Sequence, residues 1–334
     1  MRRRWGRRGP VVLVALVAAM AALPVRAAPF AYRSGAYFQQ ALRTATAAVG
    51  GGAEIGECLK TTARIREGDD RAWWREWTAT AGERERAGDE ALAEGRPADA
   101  AGEYFRASNY YRTAAVFLAA NPSDPRIATT GRKGRDCFLR AAKLSSEPII
   151  PVEIPYGETT LPGYLCLADA SGVRRPLLVI QAGLDGTAEE LYFRIVPPAR
   201  RRGYNCLIFE GPGQGRALRE QGLRFRPDWE AVAVPVVDFV RERAEVDGDR
   251  IALWGEEFGG HLIARALAFE RRPCAGVVNG GVYDLHAVVV KKPELERLLD
   301  DPAASRMIDL EVYRRMKGDP ALRRIFGNGM FAFG

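Results

Sequence analysis

The chain has 334 residues, of which 47% are hydrophobic and 27% charged, a balance that leaves ample material for a buried core and excludes a disordered chain. Its net charge of +7 belongs to the N-terminus: residues 1–27 carry six Arg and no acid, and beyond them 43 Lys and Arg face 42 acids. No basic cluster stands out on that remainder, which excludes nucleic acid as a partner.

In chain order, the first feature is a basic stretch (Arg2, Arg3, Arg4, Arg7, Arg8), then 13 apolar residues from Val11 to Leu23, then the small residues of a cleavage site up to Ala27 and Ala28. That order predicts a signal peptide over residues 1–27 and export to the periplasm or the medium. The apolar run is too short to span a bilayer, for which about 18 or more residues are needed, so no stable membrane span is expected after cleavage. A buried N-terminal helix, or a start codon set upstream of a cytoplasmic protein, is the other reading.

Residues 28–148 read as a helical cap domain. Trp73, Trp74 and Trp77 repeat at helical spacing, residues 91–111 are Ala-rich with Tyr104, Phe105, Tyr110 and Tyr111, and Asn121-Pro-Ser-Asp-Pro125 breaks two helices. The aromatic residues are expected in a core, with some free to supply apolar contacts to a substrate beneath the cap. From residue 149 the texture changes to strand–helix alternation. Residues 152–156 and 164–167 predict two strands paired around Gly157. Residues 176–181, 204–209 and 251–254 predict buried strands and 274–279 one more strand, with helices from Thr187 towards Pro197, between Pro227 and Ala244, and from Gly260 to Phe269. Asp247-Gly-Asp249 reads as a turn. This pattern predicts an α/β fold with a mostly parallel sheet. Beyond Asp284 helices are expected over 293–299 and 303–316. The five Cys are widely spaced, with no metal-ligand spacing, and read as small hydrophobes.

The chemistry centres on Gly255-Glu-Glu-Phe-Gly259, set between a buried strand and a helix. A sharp strand–turn–helix with Gly at both ends is the layout of a nucleophile elbow, in which the central side chain stands above the sheet. Here the central residue is Glu257. The backbone N–H of Phe258, and that of Leu184 in the Gly183-Leu-Asp-Gly186 loop, are the candidate oxyanion donors. Glu210, Glu256 and Asp185 are candidate substrate contacts, with Asp185 also suited to orienting its own turn. Gly211-Pro-Gly-Gln-Gly215 lacks the Lys-Ser/Thr of a P-loop and reads as a turn at the site mouth.

These segments, with Val152-Glu-Ile-Pro-Tyr156, Asp185-Gly-Thr-Ala-Glu-Glu-Leu-Tyr192 and Phe225-Arg-Pro-Asp-Trp-Glu230, resemble one α/β-hydrolase group, that of 2,6-dihydroxypseudooxynicotine hydrolase and the fermentation/respiration switch (FrsA-like) proteins. Ile55-Gly-Glu-Cys-Leu59 and Arg106-Ala-Ser-Asn-Tyr-Tyr111 resemble its helical cap, so the likeness runs from about residue 35 to the C-terminus. It implies an α/β-hydrolase domain over residues 149–334, cleavage of an ester or a carbon–carbon bond beside a carbonyl, a Ser-Asp-His triad, and no metal or other cofactor. The chain departs from that pattern at two points. Glu257 stands where the group carries Ser, and no buried strand is visible after Asn279, where two later strands would carry the Asp and His. The C-terminal strands are therefore expected to be missing, whether from a truncated relative or from a fragment. The only His residues, His261 and His286, do not match the catalytic one by position. Glu257 is then a remnant in a non-catalytic relative, a general acid–base group beside Glu256 and Glu210, or a carboxylate nucleophile. The expected ligand is a small carbonyl-containing molecule between cap and sheet. The exposed sheet edge calls for cover by the C-terminal helices or by a second copy in a homodimer.

Overall fold

The structure, a computed structural model, describes residues 35–282 and 301–333 together with Tyr32 and Asp284. The leader-like segment 1–27, the helix expected over 293–299 and His286 lie outside the described residues.

The N-terminal part is helical: α1 (Gly35–Thr46), α2 (Ile55–Thr62), α3 (Asp70–Ala93), α4 (Pro97–Ala114) and α5 (Pro125–Leu144), with short 3-10 turns at Ala47–Gly50 and Val116–Ala120. Proline at the first turn opens α4 and α5, where its missing N–H is not needed. Asp69 and Asp124 cap α3 and α5 by accepting the N–H groups of Ala72 and Arg126. The helices close on aromatic rings. Trp73 and Trp77 are fully buried, and Trp73 meets Tyr37 edge-on at 5.2 Å and Phe117 at 4.9 Å.

The sheet follows: β1 (Ile149–Tyr156), β2 (Thr159–Cys166), β3 (Arg175–Gln181), α6 (Ala188–Arg200), β4 (Asn205–Phe209), α7 (Gly215–Arg219), α8 (Glu230–Arg241), β5 (Val246–Glu256), α9 (Phe258–Phe269) and β6 (Ala275–Asn279). Its order is β1-β2-β4-β3-β5-β6, with β1, β2 and β4 antiparallel in succession and β3, β4, β5 and β6 parallel. This is the α/β-hydrolase fold, mostly parallel, with the helical region on one face. Alternation along the strands divides the core. Tyr164, Cys166, Ile180, Cys206 and Ile208 face the cap and α6, while Leu165, Val179, Leu207 and Leu253 face α8 and α9.

Three local readings change. Residues 247–249 are not a free turn but part of β5, where the register against β3 shifts from Arg175↔Val246 to Leu177↔Ile251. Arg250 binding Asp247 at 2.5 Å tightens this bulge. Helix α6 runs through Pro197 and Pro198 to Arg200, past the expected end near Pro197, although the two prolines remove two N–H donors from its ladder. After α10 (Pro302–Met316) comes a further helix that the sequence reading did not foresee, α11 (Pro320–Phe333). Strand β6 is exposed along its length.

No helix among the described residues is long and apolar enough to cross a membrane.

Candidate active site

Strand β5 passes into α9 through the elbow. A Cβ on Gly255 would collide with the backbone of Gly259, and one on Gly259 would sit 2.5 Å from the carbonyls of Gln181 and Ala182. Only glycine fits either position. Between them Glu257 adopts φ 53° and ψ −121°, the one non-glycine residue with positive φ among the described residues. Its N–H donates to the Asn279 carbonyl at 2.8 Å, and its own carbonyl accepts from Gly260 N–H at 2.9 Å, so the strained turn is fastened at both sides.

The Glu257 side chain is exposed and makes no hydrogen bond to a described residue. It leans over the Gly183 loop, its Oε2 lying 3.0 Å from where a Gly183 Cβ would be. Although the residue is exposed, the elements packed around it partly desolvate its carboxyl and raise it above the ordinary range. Arg43 opposes that rise, and the acids Asp185 and Glu190 add to it. Both of those acids are held as anions despite burial. Asp185 is bound by Arg43 and Arg324 and lies well below the usual carboxylate range. Glu190, also lowered, is bound by Arg43, with Arg112 at 3.8 Å.

Neither candidate oxyanion donor is hydrogen-bonded to a described residue outside its own helix. Phe258 opens α9, so its N–H has no partner within the helix, and Leu184 N–H donates to no described residue. The Leu184 carbonyl accepts from Asn328 of α11 at 3.2 Å. The loop is positioned from the other side by Gln214, whose amide donates to the carbonyls of Ala182 (2.7 Å) and Gly183 (2.9 Å). That is the role of the Gly211–Gly215 motif beyond lining the mouth.

Glu256 and Glu210 are engaged away from Glu257. Glu256 binds Arg194 at 2.5 Å and accepts from Asn279 at 2.7 Å and Trp254 at 3.2 Å. Glu210 caps two helices at once, accepting from the N–H groups of Ala188 (3.1 Å) and Arg216 (2.7 Å). Burial and the neighbouring Glu189 push Glu210 up to about 8. His261 stacks on Phe258, with Nδ1 2.8 Å from the Val282 carbonyl, and makes no hydrogen bond to Glu257. Arg43, Glu190 and Arg194 are the residues that reading the sequence missed. Arg43 and Glu190 lie 147 positions apart, and no local pattern pairs them.

A cavity of about 550 Å³ opens beside this loop, between α4, α5, α7 and α11. Leu184 and Asp185 belong both to its wall and to the loop beside the elbow, whereas Glu257 does not line it. Among the described residues no cluster of His, Cys, Asp and Glu suits a metal ion.

Comparison with known proteins agrees with this fold. The family model "Esterase FrsA-like" matches residues 53–312. Hydrolase acrC of Aspergillus aculeatus is 40% identical over 276 residues, covering 77% of this chain and 64% of its own. Alpha/beta hydrolase psoB of Aspergillus fumigatus is 38% identical over 252 residues, covering 71% and 56%. The chain thus spans less than two thirds of the length of these relatives. Among solved structures, 2,6-dihydroxy-pseudo-oxynicotine hydrolase superposes with a TM-score of 0.65 at 24% identity, over 74% of this chain and 68% of that one.

Proposed function

Because the chain belongs to the FrsA-like esterase family, we propose that it hydrolyses a small carbonyl-containing molecule between cap and sheet, with Glu257 as the general acid–base group. The observation that carries this reading is the Glu257 carboxyl itself. It has no hydrogen-bond partner among the described residues, it is raised in pKa, and it stands on a strained elbow beside two N–H donors that no described residue engages.

In this scheme the substrate carbonyl lies against the N–H groups of Phe258 and Leu184. Glu257, as carboxylate, takes a proton from a water molecule attacking the carbonyl carbon. The C=O electron pair moves to oxygen, where the two N–H groups stabilise it. As the intermediate collapses, the Glu257 carboxylic acid returns the proton to the departing group, so water is consumed and an acid and a protonated leaving group result. A raised pKa brings the carboxyl closer to the range in which one group can both accept and give a proton.

A second reading, a binding protein without chemistry, draws support from the lack of any described His or acid hydrogen-bonded to Glu257 to orient it. The two readings separate in a screen of esters, lactones and β-diketones. Glu257→Gln is expected to lower turnover about 10²–10⁴-fold. Unchanged turnover in that variant would remove Glu257 from the mechanism, and a parent chain inert across the screen supports the binding protein.

A further inference from the structure

We propose that the cavity between cap and sheet selects a carboxylate-bearing molecule with an apolar body, and that Arg219 is its anchor. Arg219, the last residue of α7, lines the cavity and has no acidic partner among the described residues. Its guanidinium donates only to neutral oxygens, Pro122 O at 3.2 Å and Asn328 Oδ1 at 2.8 Å, and lies 4.6 Å over the Phe331 ring. Burial without a counter-charge lowers its pKa.

The acids on the cavity wall do not supply that counter-charge. Asp185 is taken by Arg43 and Arg324, and Glu220 by Arg135 at 2.7 Å and Arg216 at 3.3 Å. Glu189 accepts from Tyr164 Oη at 2.6 Å, and Glu210 caps two helices. Arg132 on α5 also lines the cavity, and it makes no hydrogen bond or ion pair with a described residue. The wall therefore carries more cation than anion. Val116, Ala119, Ile127 and Leu218 supply an apolar stretch of that wall.

A guanidinium removed from water with only neutral partners is costly. A carboxylate presented to it forms charge-assisted hydrogen bonds, two at once when the geometry is a fork. An apolar body then covers the remaining wall, and a volume of this size is that of an ordinary small-molecule site. The inference takes from the proposed function only the placement of the ligand beside Leu184, and the binding it describes needs no turnover.

The test is titration calorimetry on the full chain with two probes, 6-phenylhexanoate and its neutral counterpart 6-phenylhexanamide. The acid is expected to bind about tenfold or more tightly than the amide, as for hydrogen bonds to charged groups. Arg219→Gln is expected to bring the two to parity, with Arg132→Gln losing a smaller part of the preference. Glu257→Gln is expected to keep the preference, so failure of the catalytic reading is distinguishable from failure of this one. Equal affinities in the parent, no binding of either probe, or a full preference surviving in folded Arg219→Gln overturns the proposal. Should Arg219→Gln not fold, the two probes on the parent and on Arg132→Gln decide it.

Discussion

Glu257 holds a backbone conformation that costs a residue with a Cβ about 1–3 kcal/mol, and the rigid contacts of Gly255 and Gly259 leave it no alternative. Two predictions follow from this one residue. Glu257→Gly should be more stable than Glu257→Ala by about 1 kcal/mol, the reverse of their ranking in ordinary structure. Urea midpoints decide it, and an equally stable Ala variant would mean the turn is not strained. The second concerns pH. Since the folded carboxyl titrates above its ordinary 4.5, general-base turnover should rise along an acid limb displaced upward of that value. Glu257→Gln should lack the limb. The same shift affects stability with the opposite sign. The contribution is complete below the unfolded pKa and is lost as pH rises through the folded one, because the native state binds the proton more tightly.

At the scale of elements, α11 joins the site to the rest of the chain. Arg324 binds Asp185, Asn328 donates to Leu184 O, and Ala332 O accepts from Phe225 N–H at 2.9 Å. Phe333 stacks on Phe225 at 4.9 Å and meets Phe258 at 5.8 Å. Removing the guanidinium in Arg324→Ala leaves Asp185 with Arg43 alone, and should cost about 1.5–3 kcal/mol as a lost hydrogen bond to a charged group. A loss of a few tenths in chemical denaturation would show that α11 does not brace the loop. The start of this helix was legible, with Asp319 capping by accepting from Ala321 N–H at 2.8 Å and proline at the first position. Gly327 and Gly329 hid its continuation, since glycine weakens a helix wherever packing does not decide. Here Gly327 and Asn328 are buried against the site, and packing decides.

Across the whole molecule, cap and sheet share one core. Phe138 of α5 meets Phe105 of the cap (5.5 Å), Tyr164 of β2 (4.8 Å), and Tyr192 (5.2 Å) and Phe193 (6.1 Å) of α6. The cap's ring cluster and the sheet's upper face therefore unfold together. Phe138→Ala should lower stability by about 3–5 kcal/mol, in a single transition with coincident tryptophan fluorescence and far-ultraviolet dichroism. Separate transitions by the two probes would make the cap an independent unit.

The sequence alone determined the strands, the helical cap and the elbow, because these are written in short-range terms: alternation, helical spacing, and glycines where backbones touch. It also located Phe258 and Leu184 on the two loops that converge beside Glu257. Only the tertiary structure decided which charges surround that glutamate. Glu256 and Glu210 are near it in sequence or in motif, yet each is engaged elsewhere, while Arg43, Asp185 and Glu190 assemble from a cap helix, the loop after β3 and the start of α6. Hydrophobic patterning fixes which face of an element is buried. The partner an exposed or half-buried charge meets depends on how distant elements pack, and no local pattern records that.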